Sequence, residues 1–167
     1  RLALNLKKAH IYYLMDDLKN AEAFYLSVLN VKLVDEASFY LAQIYMTQNK
    51  YVDAQFLFQQ VADSSDYYGE AQVKLAVYEK QNIDPDVAIN RMRRAHNFRP
   101  DQLVLYRAYA DFLIEAKRFV ETVALLEKGI GFFQKDEELR LKLAFVHYRL
   151  HNQKSFKKQI AKALKIN

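Results

Sequence analysis

Alanine recurs at positions 9, 42, 76, 110 and 144, so successive copies stand 33, 34, 34 and 34 residues apart. A spacing this regular over a whole chain constrains the fold more than any single motif, because each interval must close one structural unit. A large apolar residue follows each alanine by sixteen positions: Tyr25, Phe58, Met92, Leu126 and Ile160. Three residues further on stand Val28, Val61, Ala95, Gly129 and Ala163. Leu41, Leu75, Tyr109 and Leu143 precede four of the alanines, and Lys8 precedes the first. A small residue lets two helices approach closely, since no side chain fills the crossing point. The large residue half a period later then belongs to the next helix and packs beside that crossing. Ala21, Ala54 and Ala88 form a second small column, which Thr122 fits and Phe156 does not.

Turn signals divide each unit in two. Asp16-Asp17, Gln48-Asn49-Lys50, Asn82-Ile83-Asp84-Pro85, Ala116-Lys117-Arg118 and His151-Asn152 fall between a first and a second helix. Asp84 is an expected N-cap and Pro85 an expected first-turn residue. Arg99-Pro100-Asp101 and Asp63-Ser64-Ser65-Asp66 separate successive units. First helices are predicted near 2–15, 36–48, 70–82, 103–116 and 137–150, and second helices near 18–30, 51–63, 85–98, 119–133 and 153–166. The predicted fold is all-α: a right-handed α-solenoid of about five stacked antiparallel hairpins. Its units span about 2–34, 35–68, 69–102, 103–136 and 137–167 of a single domain over 1–167. One hairpin alone cannot bury its apolar stripe, so neighbours must stack.

Composition agrees with a helical scaffold. Only three Gly and two Pro occur in 167 residues, too few for a turn-rich β-sandwich. Cysteine is absent, which removes disulfides and thiol chemistry. No apolar run reaches the length of a membrane span. The chain starts at Arg1 and stops at Lys165-Ile166-Asn167 without a polar tail, so it is expected to be a piece of a longer repeat protein.

The net charge of +5 is local. Residues 139–167 hold eight Lys or Arg and no Asp or Glu, while the rest of the chain is slightly acidic. A smaller cluster comprises Arg91, Arg93, Arg94 and Arg99. These charges read as solvated helix faces, with contact to an acidic partner as the alternative. Tyrosine and phenylalanine fall mostly in repeat columns and read as core, so nucleic-acid binding through stacked aromatics is disfavoured. Tyr67-Tyr68, just before a helix, are the pair expected at the surface.

Signals for chemistry are weak. His147 and His151 share helical spacing but have no neighbouring carboxylate, so His147 reads as core and His151 as a turn residue. Gly129-Ile130-Gly131 is a bare G-x-G inside a helix; it reads as a close helix crossing or a helix end. Asp16-Asp17 and Glu137-Glu138 lie at helix starts, where acidic groups favour the helix dipole. No catalytic residue, metal site or cofactor is expected, and no small-molecule substrate.

At these residues the chain resembles the tetratricopeptide repeat (TPR) family, whose unit reads W-x2-L-G-x2-Y, then A-x3-F, A and P. The best copies are Leu41-Ala42-x2-Tyr45 with Ala54-x3-Phe58, and Leu75-Ala76 with Ala88-x3-Met92, Ala95 and Pro100. Trp is absent, Ala replaces the motif's Gly, and the closing Pro appears once. The segments Phe39-Tyr40-Leu41-Ala42-Gln43-Ile44, Phe58-Gln59-Gln60-Val61 and Tyr67-Tyr68 resemble a bacterial subgroup of long envelope TPR lipoproteins, some of them adaptors for carboxy-terminal processing proteases. That resemblance implies a periplasmic parent protein, and it alone favours the cell envelope over the cytoplasm.

The TPR resemblance implies a non-enzymatic scaffold whose first helices line a concave, partner-binding face. The register gives the expected lining: His10 and Tyr13; Phe39, Gln43 and Met46; Val73, Val77 and Lys80; Arg107, Asp111 and Ile114; Leu141, Phe145 and Tyr148. This mixed, apolar-rich set lacks the ordered set of Lys, Asn and Arg that grips a C-terminal carboxylate in chaperone-binding TPR domains. It suits a partly apolar peptide or partner helix. The alternatives are a structural spacer within a longer superhelix and a nucleic-acid-binding repeat; self-association is left open.

Overall fold

The computed structural model describes residues 1–165, and within them ten α-helices and no strand. First helices are α1 (Leu2–Leu14), α3 (Asp35–Thr47), α5 (Tyr68–Asn82), α7 (Leu103–Glu115) and α9 (Glu137–Arg149). Second helices are α2 (Leu18–Leu29), α4 (Tyr51–Gln59), α6 (Pro85–Phe98), α8 (Phe119–Phe132) and α10 (Gln153–Ala163). Most boundaries lie within two residues of the sequence expectation. Helix α4 ends four residues earlier than expected, and the Asp35 carboxylate accepts from Ala62 N at 2.9 Å in the segment that follows. The expected continuation of α10 to 166 lies partly outside the described residues.

The turns explain how so few glycines suffice. Asp16, Asn49, Lys117 and His151 occupy one repeat position, and all four adopt the left-handed conformation with φ of 57–61°. That geometry brings the next backbone N–H back to a helix carbonyl: Asp17 to Tyr12, Lys50 to Tyr45, Arg118 to Leu113 and Asn152 to His147, at 2.8–2.9 Å. Glycine usually takes this place, because a Cβ there costs about 1–2 kcal/mol. The third unit makes the same bond, Asp84 N to Glu79 O at 3.0 Å, without a left-handed residue. A β-branched Ile83 stands there; Asp84 is extended, its side chain accepts from Asp86 N, and Pro85 opens α6. Asp17 and Asn152 cap α2 and α10 in the same way.

The chain divides into two compact units, Arg1–Leu75 and Ala76–Asn167, and the division falls within α5. In the first unit, Ala9, Ala21, Tyr25, Val28, Ala37, Leu41 and Ile44 form one core cluster. Phe39, Ala42, Ala54, Phe58, Val61, Ala71 and Leu75 form a second. Tyr67 is half-buried rather than exposed, 5.1 Å from the Phe39 ring. In the second unit Met92, Leu105, Tyr106, Leu113, Leu126, Leu139 and Val146 are buried. All five repeat alanines are buried, so the small column marks helix crossings in both units. Thr122 keeps the second small column and satisfies its hydroxyl by donating to Arg118 O at 2.8 Å. Gly129 is a close crossing, as expected, whereas Gly131 faces open space.

Candidate partner-binding surfaces

Helices α1 and α3 of the first unit end side by side at a cleft of about 490 Å³. Its lining is Tyr13, Leu14, Asp16, Leu18, Gln43, Ile44, Met46, Thr47 and Lys74. Three expected residues, Tyr13, Gln43 and Met46, meet here. Sequence reasoning missed Leu14, Asp16, Leu18, Ile44, Thr47 and Lys74. Leu14 and Thr47 occupy one repeat position, just beyond Tyr13 and Met46, so extending the register by one residue would have found them. The floor is apolar, while Asp16 and Lys74 supply one charge of each sign.

His10 lies on the same helix but borders another opening, of about 450 Å³, with Ala3, Leu6, Lys7, Ile11 and Glu36. Its Nδ1 stands 4.0 Å from the Glu36 carboxylate, and its ring meets Tyr40 edge-on at 5.0 Å. Tyr13 also meets Tyr40 edge-on, at 4.9 Å. Burial, then the neighbouring Tyr40 and Asp16, raises the Tyr13 hydroxyl above its ordinary pKa. Burial and the nearby Glu36 and Tyr40 push Tyr67 up to about 12. These phenols therefore remain neutral at physiological pH.

Phe39 requires a correction. It is 2% exposed and packs against Phe58 at 5.8 Å and Tyr67 at 5.1 Å, so it belongs to the core and not to a lining. The register placed it on the first-helix face, but the aromatic neighbours drew it inward. Val73, next to Lys74 on α5, is half-buried.

In the second unit, Val77 and Ile114 are half-buried. The polar candidates there are occupied by ion pairs. Lys80 Nζ donates to Glu115 at 2.7 Å and lies over the Phe112 ring. Arg107 pairs with Asp136 and, at 3.0 Å, with Glu138. Asp111 pairs with Lys142, which also reaches Glu138 at 3.1 Å. These bridges join α5 to α7 and α7 to α9. Sequence spacing did not reveal them, because each partner sits about 30 residues away.

Leu141, Phe145 and Tyr148 recur at i, i+4 and i+7 on α9 and are 43%, 41% and 56% exposed. The Arg149 guanidinium lies 5.8 Å from the Phe145 ring centre, and Tyr148 lies 5.8 Å from Phe156. The stripe is thus a real apolar face flanked by a cation. Arginines of the 91–99 cluster are largely engaged: Arg91 with Glu79 at 2.6 Å, Arg93 with Glu121 at 3.5 Å and Arg99 with Asp101 at 2.8 Å. His147 is buried and His151 is a turn residue. Among the described residues no group of three or more His, Asp or Glu is placed to hold a metal ion, and no helix is long and apolar enough to cross a membrane.

No family model matches the chain, and no curated protein matches it. Solved structures do. YrrB, described as a TPR protein with an unusual peptide-binding site, aligns with a TM-score of 0.67 at 15% identity, covering 98% of this chain and 84% of its own. MamA aligns with a TM-score of 0.73 at 16% identity, covering 99% and 91%. PilF of Pseudomonas aeruginosa aligns with a TM-score of 0.76 at 11% identity, covering 99% and 76%. At such identities the likeness concerns the fold: the chain has the all-α, TPR-like solenoid fold.

Proposed function

We propose that this chain is a non-enzymatic protein-interaction scaffold that holds a partly apolar peptide or partner helix. The cleft of the first unit carries the reading. Its size suits a few side chains, its floor of Leu14, Leu18, Ile44 and Met46 buries them, and Asp16, Gln43 and Lys74 fix their direction. The Leu141–Phe145–Tyr148 stripe of the second unit offers the same chemistry in open form. The peptide-binding site named for YrrB lends support by analogy of fold alone. That 1–167 works as one repeat array rests on the register, which runs unbroken through α5.

The ion pairs of Lys80, Arg107 and Asp111 favour a structural spacer role at those positions, since a partner would have to break them. In the segments resembling envelope TPR lipoproteins, Phe39 and Phe58 are core residues and half-buried Tyr67 packs against them, so these residues bear on packing more than on compartment.

A peptide library displayed on phage and selected on the 167-residue chain tests the reading. Sequences with apolar anchors should emerge and lose binding to Met46→Glu. Selected peptides that bind Met46→Glu and Phe145→Glu as well as the parent chain would contradict it.

A further inference from the structure

Two second helices of the second unit end on an exposed phenylalanine. Phe98 is the last residue of α6 and is 57% exposed; Phe132 is the last residue of α8 and is 62% exposed. Each stands 22 residues after a repeat alanine, Ala76 or Ala110, so the two occupy one position of the repeat. Four residues earlier, on the same helix face, stand Arg94 and Lys128, both exposed. In α10 that place holds Lys162, also exposed, with exposed Leu164 just beyond it. The first unit has no such pair, because Ser27 and Gln60 fill the cation position.

These cations differ from their neighbours. Arg91 is paired with Glu79, Arg93 with Glu121 and Arg118 with Asp86. Arg94, Lys128 and Lys162 are held by no ion pair or hydrogen bond among the described residues. Glu127 is the acidic neighbour of Lys128; the equivalent places on α6 and α10 hold Arg93 and Ala161. The row is also open inside the array and not only at an end of the chain. Hairpin α7–α8 follows α6 and hairpin α9–α10 follows α8, yet both phenylalanines stay exposed. Stacking a further repeat therefore leaves this position uncovered.

The order along each helix indicates the partner. The apolar ring lies at the helix end, and the cation lies ~6 Å back along the axis. An anionic bilayer has the same order, with an apolar boundary ~5–10 Å beneath headgroups that attract Lys and Arg. Long cationic side chains reach back to such headgroups while apolar groups enter below them. A peptide or partner helix would need one shared groove. Here Phe132 borders an opening with Leu103 and Phe133, whereas Arg94 borders another with Val87 and Asn90.

We propose that the ends of α6, α8 and α10 form a docking edge for an anionic lipid bilayer. Phe98 and Phe132 enter the boundary between headgroups and acyl chains, and Arg94, Lys128 and Lys162 meet the headgroup anions. The proposal goes beyond the peptide-holding reading, and none of these residues lines the first-unit cleft.

The chain contains no tryptophan, so a single introduced one reports its own surroundings. Phe98→Trp and Phe132→Trp chains are titrated with vesicles of mixed phosphatidylglycerol and phosphatidylcholine, and with phosphatidylcholine alone. Phe56→Trp, at a 61% exposed position of α4, is the control. Emission of the first two should shift to the blue on the anionic vesicles only, and that of the control should not move. In flotation assays Arg94→Glu combined with Lys128→Glu should weaken vesicle binding about tenfold or more. Lys117→Glu, in the turn at the opposite end of the α7–α8 hairpin, should change it about twofold or less. Unchanged melting curves for these charge variants, whose sites are largely exposed, separate docking from folding. Absence of binding to anionic vesicles would overturn the proposal. So would binding without a blue shift, which the lysines of 139–167 could give by charge alone. Saturable binding of a labelled single-stranded oligonucleotide, lost in the double charge variant, with vesicles left unbound, would overturn it in favour of nucleic acid.

Discussion

Tyr106 occupies the space that a side chain at Gly129 would need: a Cβ there would lie 2.7 Å from Tyr106 Cδ1. The Tyr106 ring is fully buried against His96 and Phe133, so it has little room to retreat. Gly129→Ala should therefore destabilise the fold by ~1–3 kcal/mol through overpacking. Gly131 has nothing within 4 Å, so Gly131→Ala should stabilise by ~0.5–1 kcal/mol through helix propensity. Urea unfolding of the two variants checks the opposite signs.

Lys117 holds a left-handed conformation with φ of 57°. Lys117→Gly removes the clash of its Cβ and should raise stability by roughly 0.5–1 kcal/mol, while Lys117→Val should lower it. The same pair of changes at Ile83, which is not left-handed, should show no gain from glycine. Thermal melts distinguish the two turn types.

His96 is buried, and burial, together with the nearby Lys128, lowers its pKa below the ordinary 6.5. Its folded state thus resists a proton that the unfolded chain accepts. The sign follows: its contribution to stability is intact above about pH 6.5 and is lost as pH falls from there through the depressed folded value. His96→Phe, which keeps an aromatic ring against Tyr106, should flatten the drop in melting temperature between pH 7.5 and 5. A slope identical to that of the parent chain would refute the assignment.

Two phenylalanines of the expected lining should behave differently. Phe39→Glu puts a charge into the core and should unfold the first unit. Phe145→Glu alters an exposed stripe and should leave the melting curve nearly unchanged while removing any partner bound on α9. Circular dichroism beside a binding assay separates the two.

Much of the fold was legible because helix crossings need small residues at a fixed period. Ala42 and Ala110 announce their crossings, and Asp84-Pro85 announces the start of α6. The site was less legible, since a register position says which way a residue faces on its helix and not what meets it. Phe39 lies on the expected face yet is captured by Phe58 and Tyr67. Lys80, Arg107 and Asp111 lie there too, yet Glu115, Glu138 and Lys142 occupy them. The lysine at position 8 was visible as a break in an apolar column, and it lies over the Phe24 ring while its counterparts in α3, α5, α7 and α9 are buried.

Side-chain methyl NMR during titration with a library-selected peptide tests the central claim most directly. The account predicts shifts concentrated at Leu14, Leu18, Ile44 and Met46 around the first-unit cleft, with Leu105 and Leu126 of the second-unit core unmoved. Saturable binding that leaves those four methyl groups unshifted would contradict it.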